Sequence, residues 1–211
     1  MLKIINLTAV CAAVMLALPA TAATISGSAS GLMDPDVEIG FGERATTGAI
    51  TTQYSDLGLS FTPGLTRLNN NPNRPNFTSP YLGNFGGANP FSILFTNAVT
   101  DASFAMTSNG GIQTTFTALL SGTIVEAFTT AVSRPPINGN PRDPNNFYGF
   151  TGLLFDEINV SVGANGNSSI VGLDTVAFNV APVPLPASLS MLFAGLGGLV
   201  LMRRRRQAVS T

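Results

Sequence analysis

Gln113-Thr114-Thr115-Phe116-Thr117-Ala118-Leu119-Leu120 and, after Ser121-Gly122, Thr123-Ile124-Val125-Glu126-Ala127-Phe128-Thr129-Thr130-Ala131-Val132 decide the fold class of this chain. Both runs are built from β-branched and aromatic residues, the types that fit a pleated, half-buried surface, and turn residues divide them. Neither carries the long apolar periodicity of a helix. The same texture recurs on both sides, at residues 50–54, 57–61, 91–95, 103–106, 152–162 and 175–180, punctuated by Gly, Asn and Pro. Many short strands with such punctuation predict an all-β, antiparallel sandwich.

Three Asn-Gly pairs, Asn109-Gly110, Asn138-Gly139 and Asn165-Gly166, supply the positive φ that tight hairpins require, and Asn109-Gly110 lies between two of the strand-like runs. Residues 62–90 and 134–146 read as long, unpatterned loops dense in Asn and Pro, of the length that serves function or stays disordered.

Charge and composition narrow the chemistry. Of ten basic residues, Lys3 and Arg203, Arg204, Arg205 and Arg206 lie at the ends, which leaves five arginines against all eleven acids in the middle of the chain. That middle, at a net charge of about −6, repels phosphate backbones, so no nucleic-acid partner is expected. Histidine is absent and the one cysteine is Cys11. A Cys/His zinc site, a Ser-His-Asp triad and Cys-His catalysis are thereby excluded within the domain, and no enzyme activity is expected.

The ends read as targeting segments. Residues 1–22 have a polar start with Lys3, an apolar run over 7–18 and then Pro19-Ala20-Thr21-Ala22. Small residues at Ala20 and Ala22 fit a leader-peptidase site with cleavage after Ala22 or Ala23. The alternative, an uncleaved anchor, needs ~20 apolar residues, more than this run supplies. At the other end Val183-Pro184-Leu185-Pro186-Ala187 precedes an apolar stretch over 189–202, then the four arginines and a short tail, 207–211. From Leu185 to Met202 a helix would span about 27 Å, enough for a thin bilayer. The arginines would hold that end in the cytoplasm and leave the domain, 23–181, outside. Two prolines forbid regular helix through the motif and keep it extended, the form a protease or transpeptidase grips. Ala194, Gly195, Gly197 and Gly198 form either a helix-docking face or a tolerated small-residue cluster.

This order of motif, apolar helix and arginine cluster over 183–206 resembles the VPLPA variant of the PEP-CTERM sorting signal. The resemblance implies that a membrane-embedded exosortase recognises the motif, cuts near it, and releases or transfers the protein to the envelope or extracellular matrix of a Gram-negative bacterium. An ordinary single-span anchor behind a Pro-rich hinge is the alternative. Gln53-Tyr54-Ser55-Asp56-Leu57-Gly58-Leu59-Ser60-Phe61, Phe147-Tyr148-Gly149-Phe150, Phe155-Asp156-Glu157-Ile158 and Gly172-Leu173-Asp174-Thr175-Val176-Ala177-Phe178 also resemble a jelly-roll domain that recurs among such proteins. That resemblance implies a jelly-roll-like sandwich with a structural or adhesive role. Similar folds include carbohydrate-binding modules, so a polysaccharide partner is the alternative function, and glycan hydrolysis a weaker third.

Individual residues carry further expectations. Asp34-Pro35-Asp36-Val37-Glu38 places three carboxylates at alternate positions, which with Glu43 and Asp174 would suit a structural calcium, or would simply be solvated. No other cofactor is implied. Asp156 and Glu157 are adjacent, so in a strand they point to opposite faces and cannot flank one glycosidic bond. Gly40-Phe41-Gly42-Glu43-Arg44-Ala45 fits a dinucleotide fingerprint as text, without the surrounding βαβ pattern. Phe77, Tyr81, Phe85 and Phe91, with Arg74 nearby, form either a sugar-stacking surface or a plug at the edge of the sheet.

Overall fold

In a computed structural model of the chain, residues 22–44, 48–69, 75–84, 89–108, 112–132, 144–163 and 171–182 are described. Among them run twelve strands: β1 (Ala23–Ser28), β2 (Val37–Ile39), β3 (Ala49–Ile50), β4 (Leu59–Phe61), β5 (Leu65–Leu68), β6 (Tyr81–Gly83), β7 (Phe91–Ser108), β8 (Gln113–Leu120), β9 (Thr123–Ala131), β10 (Phe147–Thr151), β11 (Phe155–Val162) and β12 (Val171–Val180). They join in one large antiparallel sheet, and the described residues contain no α-helix, only a 3-10 turn at Ser55–Leu57. The all-β, antiparallel class expected from the sequence is the class observed.

The long strand β7 organises the sheet. Its first half lies between β4 and β11, and its second half between β10 and β12. One arm therefore continues outward through β11, β8 and β9, and the other through β12, β6, β5 and β3, with β10 and β1 beyond the opposite edge of β7. Aromatic rings pack the β11–β8–β9 arm against β7 and β10. Phe116 on β8 lies 5.7 Å from Phe104 on β7, 5.0 Å from Phe128 on β9 and 5.2 Å from Tyr148 on β10. Phe150 contacts both Phe128 and Phe155, and Phe95 reaches Phe178 at 5.2 Å. Rings of this size dominate core energetics and prefer such offset and edge-to-face arrangements.

The second half of β7 is buried on both faces: Phe104 and Met106 enter the main core, whereas Ala105 joins a smaller cluster with Phe77, Tyr81 and Phe147. A second layer therefore covers this part of the sheet. It comes from residues 75–81, inside the stretch expected to be an unpatterned loop, which also holds β5 and β6. Those strands are three and four residues long and set among Asn and Pro, too short for alternation to show in the sequence.

Other expectations are corrected in register. Residues 91–95 and 103–106 belong to one strand, whereas the strand expected over 50–54 stops at Ile50. Asn109-Gly110, like Asn138-Gly139 and Asn165-Gly166, lies outside the described residues, but β7 and β8 do not form the expected hairpin, because β11 lies between them. The tight hairpin is β8–β9, turned by Ser121 (φ 51°) and Gly122 (φ 78°). Positive φ at both positions is what a two-residue primed turn needs, and the Asp156 carboxylate accepts the Ser121 N–H at 3.0 and 3.1 Å.

Candidate functional site

The polar centre of the fold is a break in the pairing of β12. One edge of that strand pairs with β6 at Gly172 and Leu173, and with β2 from Val176 to Phe178. Between them lie Asp174 and Thr175, where the pairing with β7 also shifts register. Thr175 is held at φ 49°, an uncommon conformation for a β-branched residue and one that marks functional or over-determined positions.

Asp174 is fully buried. Its Oδ2 accepts the Thr78 N–H at 2.6 Å and the Thr78 hydroxyl at 3.3 Å, and its Oδ1 accepts the Thr175 N–H at 2.7 Å. The carboxyl thus clamps the overlying layer to the sheet. A second clamp stands beside it: Asn146, also fully buried, donates to the Pro75 carbonyl at 2.8 Å and accepts from Asn76 Nδ2 at 2.6 Å. Asn76 has φ 60°, donates to the Pro144 carbonyl at 2.9 Å and accepts the Thr175 hydroxyl on its backbone oxygen at 3.3 Å.

Burial holds the Asp174 carboxyl up to about 7, against an ordinary value of 3.8; the hydrogen bonds from Thr78 and Thr175 oppose that rise and the Glu43 carboxylate adds to it. Between these values the folded chain keeps a proton that the unfolded chain has lost. The stabilisation is therefore complete below about pH 4 and is lost as pH rises through about 7, with an upper limit of roughly 4 kcal/mol. The melting temperature should fall between pH 5 and pH 8, and Asp174→Asn, which cannot titrate, should flatten that fall. Equal slopes for both proteins would refute the assignment.

Beside the clamps a groove of about 250 Å³ opens between the Ala29–Leu32 segment and the β12 break, lined among others by Glu38, Asn76, Ser103, Phe147 and Thr175. Gly31, one of its lining residues, packs against Ser103 and Phe147. A Cβ there would come within 2.7 Å of Ser103 Oγ and 2.9 Å of the Phe147 ring, so only glycine allows the approach.

The sequence-derived candidates distribute unevenly over this geometry. Asp174 and Glu43 are neighbours, Glu43 accepting the Gly40 N–H at 2.8 Å. Glu38 lies on the groove, and Asp36 is tied to the end of β12, accepting the Val180 N–H at 2.9 Å while its own N–H donates to Asn179 at 3.0 Å. Asp34 sits at φ 52° in the turn before β2. Among the described residues no three such carboxylates converge in a way that could hold a metal ion. Phe77, Tyr81 and Phe91 are buried, so they pack rather than present faces for stacking; Phe85 and Arg74 lie outside the described residues. Asp156 holds the β8–β9 turn whereas Glu157 accepts the Ser92 hydroxyl at 2.6 Å, so the two neighbours serve different partners. Phe41 is buried, its carbonyl accepting from Tyr54 and Arg67, both at 3.1 Å.

Ala20, the motif Val183–Ala187 and Arg203–Arg206 lie outside the described residues, and Ala22 is exposed before β1. Among the described residues no helix is long and apolar enough to cross a membrane. Asn76, Asn146 and Thr78 were not singled out from the sequence; the asparagine-dense stretch around them was the only signal. No family model and no curated protein matches the chain.

Proposed function

We propose that this is an exported cell-surface or extracellular-matrix protein, whose jelly-roll-like, non-enzymatic domain has a structural or adhesive role and whose segment 182–206 is processed by an exosortase-type enzyme. The observation that carries the reading is the order of Val183-Pro184-Leu185-Pro186-Ala187, the apolar run to Met202 and Arg203–Arg206. The prolines keep the cut site extended outside the bilayer, the apolar run halts translocation, and each arginine resists transfer by roughly 2.5–3.5 kcal/mol. Support also comes from the domain, whose first strand begins at Ala23 and whose last ends at Val180, with the Ala181 N–H bound to the Ala98 carbonyl at 3.0 Å. The motif thus follows a folded body within a few residues.

Expression in the native host tests the reading, with an antibody against the domain. Wild-type chain should give a shorter species in the outer envelope or medium, beginning at Ala23 or Thr24. Pro184→Ala with Pro186→Ala should let helix continue through the motif, hide the cut site and trap full-length chain in the membrane fraction. Identical sizes and locations for the two proteins would leave only a plain membrane anchor. A second reading, a carbohydrate-binding module of the envelope, is favoured by the groove beside Asn76 and Glu38.

A further inference from the structure

The edges of the sheet are not alike. β3 is two residues long, and β1 is interrupted by a bulge at Gly27 (φ 66°); short and bulged strands are ordinary ways of blunting an edge. β9 is nine residues long, lies outermost beyond β8 among the described residues, and carries neither Pro nor Lys. Its one irregularity falls near its start, at Val125, between the pairs Ile124–Leu119 and Glu126–Ala118. Two of the five large apolar side chains left exposed among the described residues, Ile124 (65%) and Val125 (41%), belong to it.

Backbone groups alternate in direction along an antiparallel strand. The Val132 N–H donates to the Ile112 carbonyl at 3.1 Å, on the β8 side. Thr130, Phe128 and Glu126 therefore turn their backbone groups to β8, and Ala131, Thr129 and Ala127 turn theirs outward. The Ala127 N–H agrees: it donates at 3.0 Å to the carboxylate of its own neighbour Glu126, a side chain standing where the carbonyl of a further strand would be.

We propose that β9 is a dimerisation edge that pairs antiparallel, about a two-fold axis, with β9 of a second copy. An outward row of N–H and C=O groups fits an extended backbone, and a strand with a single charge, Glu126, can offer that backbone to itself. Alternation allows only registers that set outward residues opposite outward residues. An axis at Glu126 would oppose like charges, one at Ala127 would set Glu126 against Phe128, and one at Thr129 would set it against the buried Val132. An axis at Phe128 avoids all three. It pairs Ala127 with Thr129 of the second copy, twice by symmetry, for about four main-chain hydrogen bonds. Glu126 then faces Thr130 of the second copy, whose hydroxyl can donate to the released carboxylate. Ile124 and Val125 come to lie against the far end of the other strand. The joint uses no residue of 182–206 and is independent of the sorting reading.

Double electron–electron resonance tests the pairing on the full-length chain in detergent micelles, in a Cys11→Ser background with a nitroxide on Thr123→Cys or on Ala131→Cys. Both positions are exposed. With the axis at Phe128, about ten residues of strand separate Thr123 from its counterpart and about six separate Ala131 from its own. At ~3.4 Å per residue the labels should stand roughly 30–40 Å and roughly 20–25 Å apart. Narrow peaks at both distances, at ~100 μM chain, support the dimer; association through the tails alone gives neither. Ala127→Lys with Thr129→Glu sets opposite charges across both central pairs and should keep the peaks. Ala127→Lys with Thr129→Lys sets like charges there and should weaken association ~10-fold, read from the modulation depth on dilution. No peak from the parent chain would mean that the edge stays open or is filled by its own chain, and would overturn the dimer. Equal distances from the two sites, or equal association of the two double variants at matched circular dichroism, would overturn it as well.

Discussion

Phe116→Ala should lower the stability of the domain by about 3–5 kcal/mol, the usual range for removing a buried ring from a packed core. Phe116 is fully buried, and it is where the β8–β9 arm packs against β7 and β10. Its ring is nearly parallel to those of Tyr148 (12°) and Phe128 (27°) and tilted at 51° to Phe104. Its ring neighbours stand on three other strands, so no single strand can move to close the hole without breaking its own pairing. Phe116→Leu keeps most of the volume and should lose only about 1–2 kcal/mol. Denaturant titration followed by far-UV circular dichroism measures both, and the near-UV tyrosine signal should weaken with the loss of the Tyr148 stack. A change under about 1 kcal/mol for Phe116→Ala would mean that the β8–β9 arm is not held to β7 and β10 through this ring.

Gly149→Ala should be about as damaging, at about 3 kcal/mol or more, although it adds one methyl group. Gly149 is in the middle of β10, opposite Ile25 on β1 and Ser103 on β7. A Cβ there would lie 2.8 Å from the Ser103 Cα and closer still to the Ala102 carbonyl oxygen. These are backbone atoms of a central strand that β12 holds on the other side, so the strand cannot retreat. Gly122→Ala is the matched control. Gly122 has φ 78° and open space around it, so alanine there meets backbone strain alone, about 1 kcal/mol. Denaturation midpoints should fall in the order wild type, Gly122→Ala, Gly149→Ala; equal midpoints for the two variants would remove the clash as a cause.

The groove and the clamps behind it rest on contacts between distant parts of the chain. Asp174 was legible as a carboxylate in an acidic set, yet its partner Thr78 is 96 residues away, and only that meeting turns a ligand candidate into the polar pin of a second layer. Asn76 and Asn146 lie 70 residues apart, inside stretches whose Asn and Pro content reads as loop whether or not they dock. The aromatic set failed as a stacking surface for the same reason. Phe77 and Tyr81 look alike in sequence whether exposed or buried, and the sheet beneath them decided.

The sequence by itself determined that the domain is all-β and antiparallel, that β8 and β9 occupy nearly the residues read for them, and that neither thiol nor imidazole chemistry is available to it. These follow from local steric preference and residue inventory, which need no knowledge of neighbours. Only the tertiary structure decided that β7 runs unbroken through the polar stretch from Thr96 to Asp101, that β11 separates β7 from β8, and that the β12 break gathers Thr175, Asn76 and Glu38 around one groove. Strand register and the bulges that shift it arise from pairing between segments far apart in the chain, and a two-residue side-chain period has no means of recording which segment that will be.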